Sequence, residues 1–264
     1  MSSIETIAYT SALMTLAASC AVFILSSRNT QYAPRLAALL AAVAFLALSI
    51  GLSLRGIFAR RWPLGSPFEF TLAFAASIVL IYLFLSKAAE TPWTGATAVL
   101  LALLLMSHAL LVQAEAARIV QPFPPVMRGV WFALHTLLTA IAYGALTVAG
   151  AVGVSGLAVP SLPVIAFVDQ AMAVGYIALS LGMIAGGIWG ERAWGAYWSW
   201  STKEAWTLVT WLVCTFHYHV RQRRGWRGRR AMGIAALAMV AVLVTFFLTP
   251  TLLRWTRLQR WRIY

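Results

Sequence analysis

Residues 194–211 read WGAYWSWSTKEAWTLVTW, five tryptophans in eighteen positions, set between two apolar segments each long enough to cross a bilayer. Tryptophan carries a large apolar ring with one N–H donor. A dense cluster at a membrane edge therefore reads either as an interfacial belt or as an aromatic platform for a flat ligand.

Outward from this stretch, composition sets the class. Across 264 residues, 61% are hydrophobic and 10% charged, with a mean hydropathy of +0.82, which is too apolar for a soluble domain. Spanning takes about 20 apolar residues per helix. Such runs fall near 7–25, 36–54, 68–86, 95–113, 130–153, 170–189, 205–220 and 231–249. The expected fold is an all-α integral membrane protein. It forms one polytopic domain, 1–264, of about eight transmembrane helices, with a tryptophan-rich loop on the outer face and the tryptophan-rich segment at about 186–221. The opening MSSIETIAYT has no basic stretch and no small-residue cleavage pattern, so the first helix is expected to stay as an anchor.

The net charge of +13 reads as topology and not as nucleic-acid binding, because eighteen of the twenty basic residues are arginine and nearly all lie between helices. RQRRGWRGRR places Arg221, Arg223, Arg224, Arg227, Arg229 and Arg230 around one short loop, a strong cytoplasmic marker that puts the tryptophans outside. Arg55, Arg60 and Arg61, and the tail arginines Arg254, Arg257, Arg260 and Arg262, then fall outside as exceptions. The tail alternates arginine with apolar residues and suits a place along the headgroups.

Cys20 and Cys214 lie in apolar spans with no CxxC pair, so neither a redox motif nor a disulfide framework is expected. Glu69 and Asp169 sit near span ends, where water or headgroups are expected to reach them. Of the four histidines, His135 starts the helix HTLLTAIAYGAL near the outer surface, and His219 lies at the opposite membrane side beside the arginines. At about 100° per residue, His217 and His219 point to nearly opposite sides, and Trp211 is expected to share the face of His219. An isolated intramembrane histidine is most often interhelical hydrogen-bond glue, the reading taken for His108 and His217.

GGIWGERAWGAYWSWSTKEAWTLVTWLVCTFHYHVR resembles the tryptophan-rich heme-handling signature of the cytochrome c assembly family, CcsA/ResC type, whose pattern is close to GAxWAxxAWGxYWxWDPKExWxxxTWxxxxxxxHxR. Trp189, Trp194, Gly195, Tyr197, Trp198, Trp200, Lys203, Glu204, Trp206, Thr210, Trp211, His219 and Arg221 align without a gap. RRWPLGSPFEF, HTLLTAIAYGAL and FVDQAMAVGYIALSLGMIAGGIWG resemble the same family in the same order, so the likeness spans roughly residues 55–221.

The resemblance implies cytochrome c biogenesis, in which heme is moved to the outer face and presented for thioether attachment to an apocytochrome. It implies heme b as the group handled and iron ligation by His135 at the outer site and His219 in the inner half. Trp194, Gly195, Tyr197, Trp198, Trp200, Glu204, Trp206 and Trp211 would form the surrounding surface, with Lys203 or Arg192 as candidate partners for the propionates. The implied partners are membrane lipid, apocytochrome c, and a ResB/CcsB-type subunit or another membrane complex. The membrane would be a bacterial plasma membrane or a thylakoid. Two departures stand out: WSWSTKE replaces WxWDPKE, and no histidine follows His219, where the family has a second outer histidine. Ser201 is expected to cap the following helix in a box with Glu204. Three readings stay open. The first is a divergent heme-delivery subunit with part in a heme lyase or synthase. The second is a non-catalytic, CcsA-like subunit of a membrane electron-transfer complex, structural or binding a b-type heme, and the third is a membrane scaffold or transporter whose tryptophans are only an interfacial belt.

Overall fold

In the computed structural model, described for residues 2–26, 33–86, 92–113, 122–157, 161–221 and 228–248, eight long helices carry the chain back and forth and no strand is present among the described residues. They are α1 Ser3–Ser26, α2 Ala33–Ala59, α3 Pro67–Leu85, α4 Pro92–Val112, α5 Val130–Gly156, α6 Leu162–Trp194, α7 Thr202–Arg221 and α8 Arg229–Leu243, the last continued by a π-turn over Val244–Leu248. Seven are long and apolar enough to cross a bilayer. The exception is α7, whose Lys203, Glu204, His217, His219 and Arg221 make it amphipathic, although its length and place match the expected span.

The core is organised by α3 and α5, the two spans most enclosed by protein. Glycines on α5 let its neighbours close in: Gly144 faces the backbone of α3 at Ser77 and Ile78, while Gly150 and Gly153 face α8 at Ala235 and Met232. Helix α6 packs along α5, with Gly175 against Leu146 and Gly182 against Leu138 and Thr139. Lipid tails give no hydrophobic drive for helices to associate, so close backbone approach over small residues carries the packing. The same device joins α1 to α2, where Ala37, Ala41 and Ala44 are buried and Ser19 Oγ donates 2.7 Å to the Ala37 carbonyl.

Helix α6 decides where the tryptophans stand. Its 33 residues extend about 50 Å, well beyond a hydrocarbon core of about 30 Å. The expected span 170–189 is thus lengthened at both ends, and Trp189 and Trp194 ride on the last turns of a helix. The loop itself is only residues 195–201. It starts at Gly195, which caps α6 in the left-handed region (φ 75°) with its N–H on the Glu191 carbonyl at 2.9 Å.

Beside this end of the bundle lies a buried ion cluster that revises the reading of Glu69. Glu69 and Arg55 are both fully enclosed, not washed by water or headgroups. Glu69 accepts from Arg55 Nε at 2.7 Å, from both Arg61 nitrogens at 2.8 and 2.7 Å, and from the Gly65 and Ser66 backbone N–H groups at 3.0 and 3.2 Å. Arg55 also reaches Glu5 of α1 at 3.5 Å. Burial of charge is tolerable only when paired and hydrogen-bonded, as here. The physical reason for the difference is local: the Ser66–Glu69 capping box and Pro67 start α3 directly under the turn carrying Arg61. Two of the arginines that looked like exceptions on the tryptophan side, Arg55 and Arg61, therefore oppose carboxylates instead of advertising free positive charge.

Candidate functional site

His135 lies in the second turn of α5, and its Nδ1 is 2.9 Å from the Gly182 carbonyl of α6. A carbonyl only accepts, so Nδ1 carries a proton, and in the neutral ring Nε2 then keeps a lone pair. That is the tautomer a metal ligand needs, with the second nitrogen oriented by a backbone acceptor. Gly186 makes the approach possible, because a Cβ there would stand 2.6 Å from Nδ1. Trp189 then lies nearly parallel to the imidazole, centroids 5.9 Å apart and planes 17° apart.

Trp189 is held from several sides. Its Nε1–H donates 2.7 Å to the Val126 carbonyl, Phe132 packs at 5.0 Å, and Trp194 meets it edge-on at 4.9 Å. Gly190 leaves room for the Trp194 ring and the Ala196 carbonyl, and Gly187 for the Tyr197 carbonyl, so the loop folds back against the end of α6. The GGIWG run thus has a steric purpose at each glycine.

Beyond Trp194 the aromatic surface is open. Trp194, Tyr197 and Trp200 are 52%, 65% and 72% exposed, too much for core packing. Trp198 and Trp200 pair edge-to-face at 5.9 Å, and Trp200 takes φ 57°, a left-handed conformation that a bulky residue seldom adopts. The Trp198 Nε1–H is buried without a hydrogen-bond partner among the described residues. The loop is pinned by Glu204, whose Oε2 accepts from Ser199 Oγ at 2.7 Å, Ser201 N at 2.8 Å and Ser199 N at 3.1 Å, while Glu204 N donates to Ser201 Oγ at 3.4 Å. The expected Ser201–Glu204 box is present. Slight burial pushes the Glu204 carboxyl up, but the bonds from Ser199 and Ser201 outweigh it and hold the group below the usual carboxylate range.

The first turns of α7 close the other side, where the Tyr143 hydroxyl of α5 lies near Thr207 and near Thr245 beyond α8. Lys203 and Arg192 are exposed nearby, Arg192 with its guanidinium 6.0 Å from the Trp131 ring. Trp206 is half-buried on α7.

His219 is not part of this assembly. It sits near the far end of α7, exposed and in line with exposed Val209, Leu212 and Phe216. Trp211 does not share that face; it turns toward α6, donating 2.9 Å from Nε1 to Ser180 Oγ and packing on Tyr176 at 5.7 Å. Eight residues advance a helix by about 80° past a whole number of turns, enough to separate the two. His217 is buried, 3.5 Å from Asp169 of α6, which also pairs with Arg221, so it joins two helices as expected. His108 bonds Gln113, one residue past α4, at 3.3 Å, and Gln113 in turn accepts from Thr71 of α3 at 3.3 Å, so the histidine joins helices through the amide; its ring meets Phe247 edge-on. The arginines at 222–227 and the tail from 249 lie outside the described residues. Among the described residues, no group of three or more histidine, cysteine or acidic side chains converges as a metal site.

Sequence reasoning missed Gly182, Gly186, Phe123, Val126 and Phe132. Gly186 was signalled by GGIWG beside a helix with a lone histidine, whereas nothing local marked Gly182 and nothing in PFPPVM pointed to Trp189.

Against known proteins, the family model described as cytochrome C assembly protein matches residues 65–255. The chain is 28% identical to the cytochrome c biogenesis protein CcsA of Synechococcus sp. (strain CC9311), covering 89% of this chain and 90% of that protein. It is 27% identical to the CcsA of Prochlorococcus marinus (strain MIT 9303), with 79% of each covered. Its fold is similar to that of a solved cytochrome c heme lyase CcmF, with a TM-score of 0.66 and 21% identity; the match takes in 92% of this chain and 46% of that one. The chain therefore spans about half the length of the lyase, and that likeness speaks for the fold alone.

Proposed function

The chain belongs to the cytochrome c assembly protein family, and we propose on that footing that it handles heme as a substrate, receiving it within the membrane and presenting it at the tryptophan surface for thioether attachment to an apocytochrome c. The observation that carries this reading is His135: an imidazole with Nδ1–H tied to Gly182, so that in its neutral form Nε2 is left for iron, and a parallel tryptophan beside it at the foot of an open aromatic surface. The residues fit a porphyrin. Trp194, Tyr197, Trp198 and Trp200 supply flat apolar contact, while the unpaired Trp198 N–H, Lys203 and Arg192 suit the carboxylates at its edge.

The heme is of b type on chemical grounds. Thioether bonds form when thiol S–H adds across a vinyl group, so the porphyrin must arrive with its vinyls intact. This chain's own part is to fix the imidazole tautomer, exclude water from one face of the ring through Trp189, and hold the loop in place through Glu204. His219 serves an inner ligation step. Exposed on α7 with no ligand opposite it among the described residues, it needs a second ligand from another subunit, of the ResB/CcsB type. The tryptophan face lies outside the plasma membrane, with the arginines at 221–230 on the cytoplasmic side.

A second reading is a heme-binding or structural subunit of a membrane electron-transfer complex that performs no attachment. It draws on Ser201 and Thr202 in place of the acidic residue and proline, and on the absence of histidine after His219.

A reduced-minus-oxidised spectrum with a pyridine hemochrome assay on the wild type, His135→Ala and His219→Ala separates these readings. Heme b lost with His135 is the expected result. Loss only with His219 favours the electron-transfer subunit, and no heme in the wild type under varied expression sinks both ligand assignments.

A further inference from the structure

Residues 122–129 cross the outer end of the bundle before α5 as a strap with little backbone anchorage. The bonds Met127 N to Pro124 O and Arg128 N to Pro125 O, 2.9 and 3.1 Å, and Arg128 Nε to Phe123 O, 3.0 Å, are all internal to the strap. Every side chain in it is exposed or half-exposed except Phe123. Among the described residues, the contacts that fix the strap to the bundle are Phe123 on one side and the bond from Trp189 on the other, besides the Ala133 N–H on the Gly129 carbonyl, 3.4 Å, where the strap enters α5.

Phe123 packs against Gly65 with its ring edge, where any Cβ would overlap it, and the Arg61 guanidinium stands 4.2 Å from the ring centroid. Arg61 cannot swing away cheaply, because two of its nitrogens are bonded to Glu69 inside the buried ion cluster. From Phe123 the contacts run on: edge-to-face to Phe132 at 5.6 Å, Phe132 to Trp189 at 5.0 Å, and Trp189 to His135. The Val126 carbonyl, three residues from Phe123, accepts the Trp189 N–H.

We infer that Arg61 and Phe123 are positioning residues for His135, holding the 122–129 strap so that Val126 and Phe132 set the plane of Trp189 over the imidazole. Without the Phe123 anchor the strap lifts, the Trp189 N–H exchanges its carbonyl for water, and one face of His135 opens. The buried charges of α1, α2 and α3 thereby reach a histidine on α5 that none of them touches. The functional meaning rests on His135 as the iron ligand, but the positioning is a property of the heme-free protein and is measurable there.

The test is the rate at which diethyl pyrocarbonate modifies His135 in the full-length, heme-free protein in detergent, read by peptide mass spectrometry with exposed His219 as internal standard. In Phe123→Leu the His135 rate rises about fivefold relative to His219, the size expected from losing one aromatic and cation–π anchor. Phe123→Tyr, which keeps the ring, restores the wild-type rate. Arg61→Met and Arg61→Lys form a second pair should the leucine variant fold poorly, with the lysine rate nearer the wild type. An unchanged His135 rate in both Phe123→Leu and Arg61→Met overturns the inference, as does an equal rise at His135 and His219, which means general loosening. Heme content, measured on each variant as purified and before heme is removed for labelling, tells the two ideas apart. The expected labelling pattern in protein that never purifies with heme supports the positioning and sinks the ligand reading; unaltered labelling in protein that purified with heme sinks the positioning alone.

Discussion

Replacing Gly186 by alanine is expected to separate heme retention from folding. The new Cβ stands 2.6 Å from His135 Nδ1 and 2.9 Å from Cε1, where ordinary contact begins at 3.4 Å. In a close-packed helix pair the ring must then retreat by about 0.8 Å. That retreat breaks the 2.9 Å bond to Gly182, costing about 1 kcal/mol, and forces the imidazole off its rotamer for about another 1 kcal/mol. Alanine in place of glycine within a helix returns roughly 0.5–1 kcal/mol. The fold thus loses only about 1 kcal/mol, a few degrees in Tm. The ligand, however, loses all of its preset geometry. If the full 2 kcal/mol falls on binding, retention weakens about 30-fold. The assay is a heme titration of the purified protein by its main absorption band, with a thermal melt in parallel and Gly233→Ala, where a Cβ meets nothing within 4 Å, as control. Wild-type affinity with an unaltered spectrum in Gly186→Ala would refute the reasoning, and so would an equal loss in the control.

Trp198→Leu with Trp200→Leu is expected to lower heme retention while the protein stays in the membrane at wild-type level, since apolar bulk remains and the flat surface goes; disappearance from the membrane on immunoblotting would mark these rings as structural. Arg55→Met leaves Glu5 and Glu69 without a shared counter-charge in a site closed to water, and should destabilise by about 3–5 kcal/mol in detergent melts; adding Glu5→Gln should recover part of the loss. Glu204 has a depressed carboxyl, so its contribution is present above the ordinary carboxylate range and fades as pH falls through the lower folded value. Hydrogen exchange of residues 199–205 should quicken on acidification in the wild type and be fast and pH-flat, after intrinsic correction, in Glu204→Gln.

The hydropathy runs determined on their own that this is a helical membrane protein with eight helices in this order, because a bilayer admits few alternatives for segments of that length and polarity. The Ser201–Glu204 cap was legible from its spacing, since a helix start is written in adjacent residues, whereas His135, Trp198 and Trp200 were singled out by the resemblance to the family pattern. What needed the tertiary structure is everything joined across the bundle. Glu69 looked reachable by water because sequence shows its distance from a span end and not the two arginines folded over it. Trp211 and His219 looked aligned because an 80° difference is small on a helical wheel, yet it separates a side chain facing α6 from one facing outward. Trp189 and the glycines that admit His135 and the loop are local in sequence, but their purpose appears only when α5, α6 and the 122–129 strap meet. A chain pattern fixes which face of a helix is apolar, whereas the partner that a polar or aromatic group meets across 3–6 Å depends on the packing of residues distant in sequence.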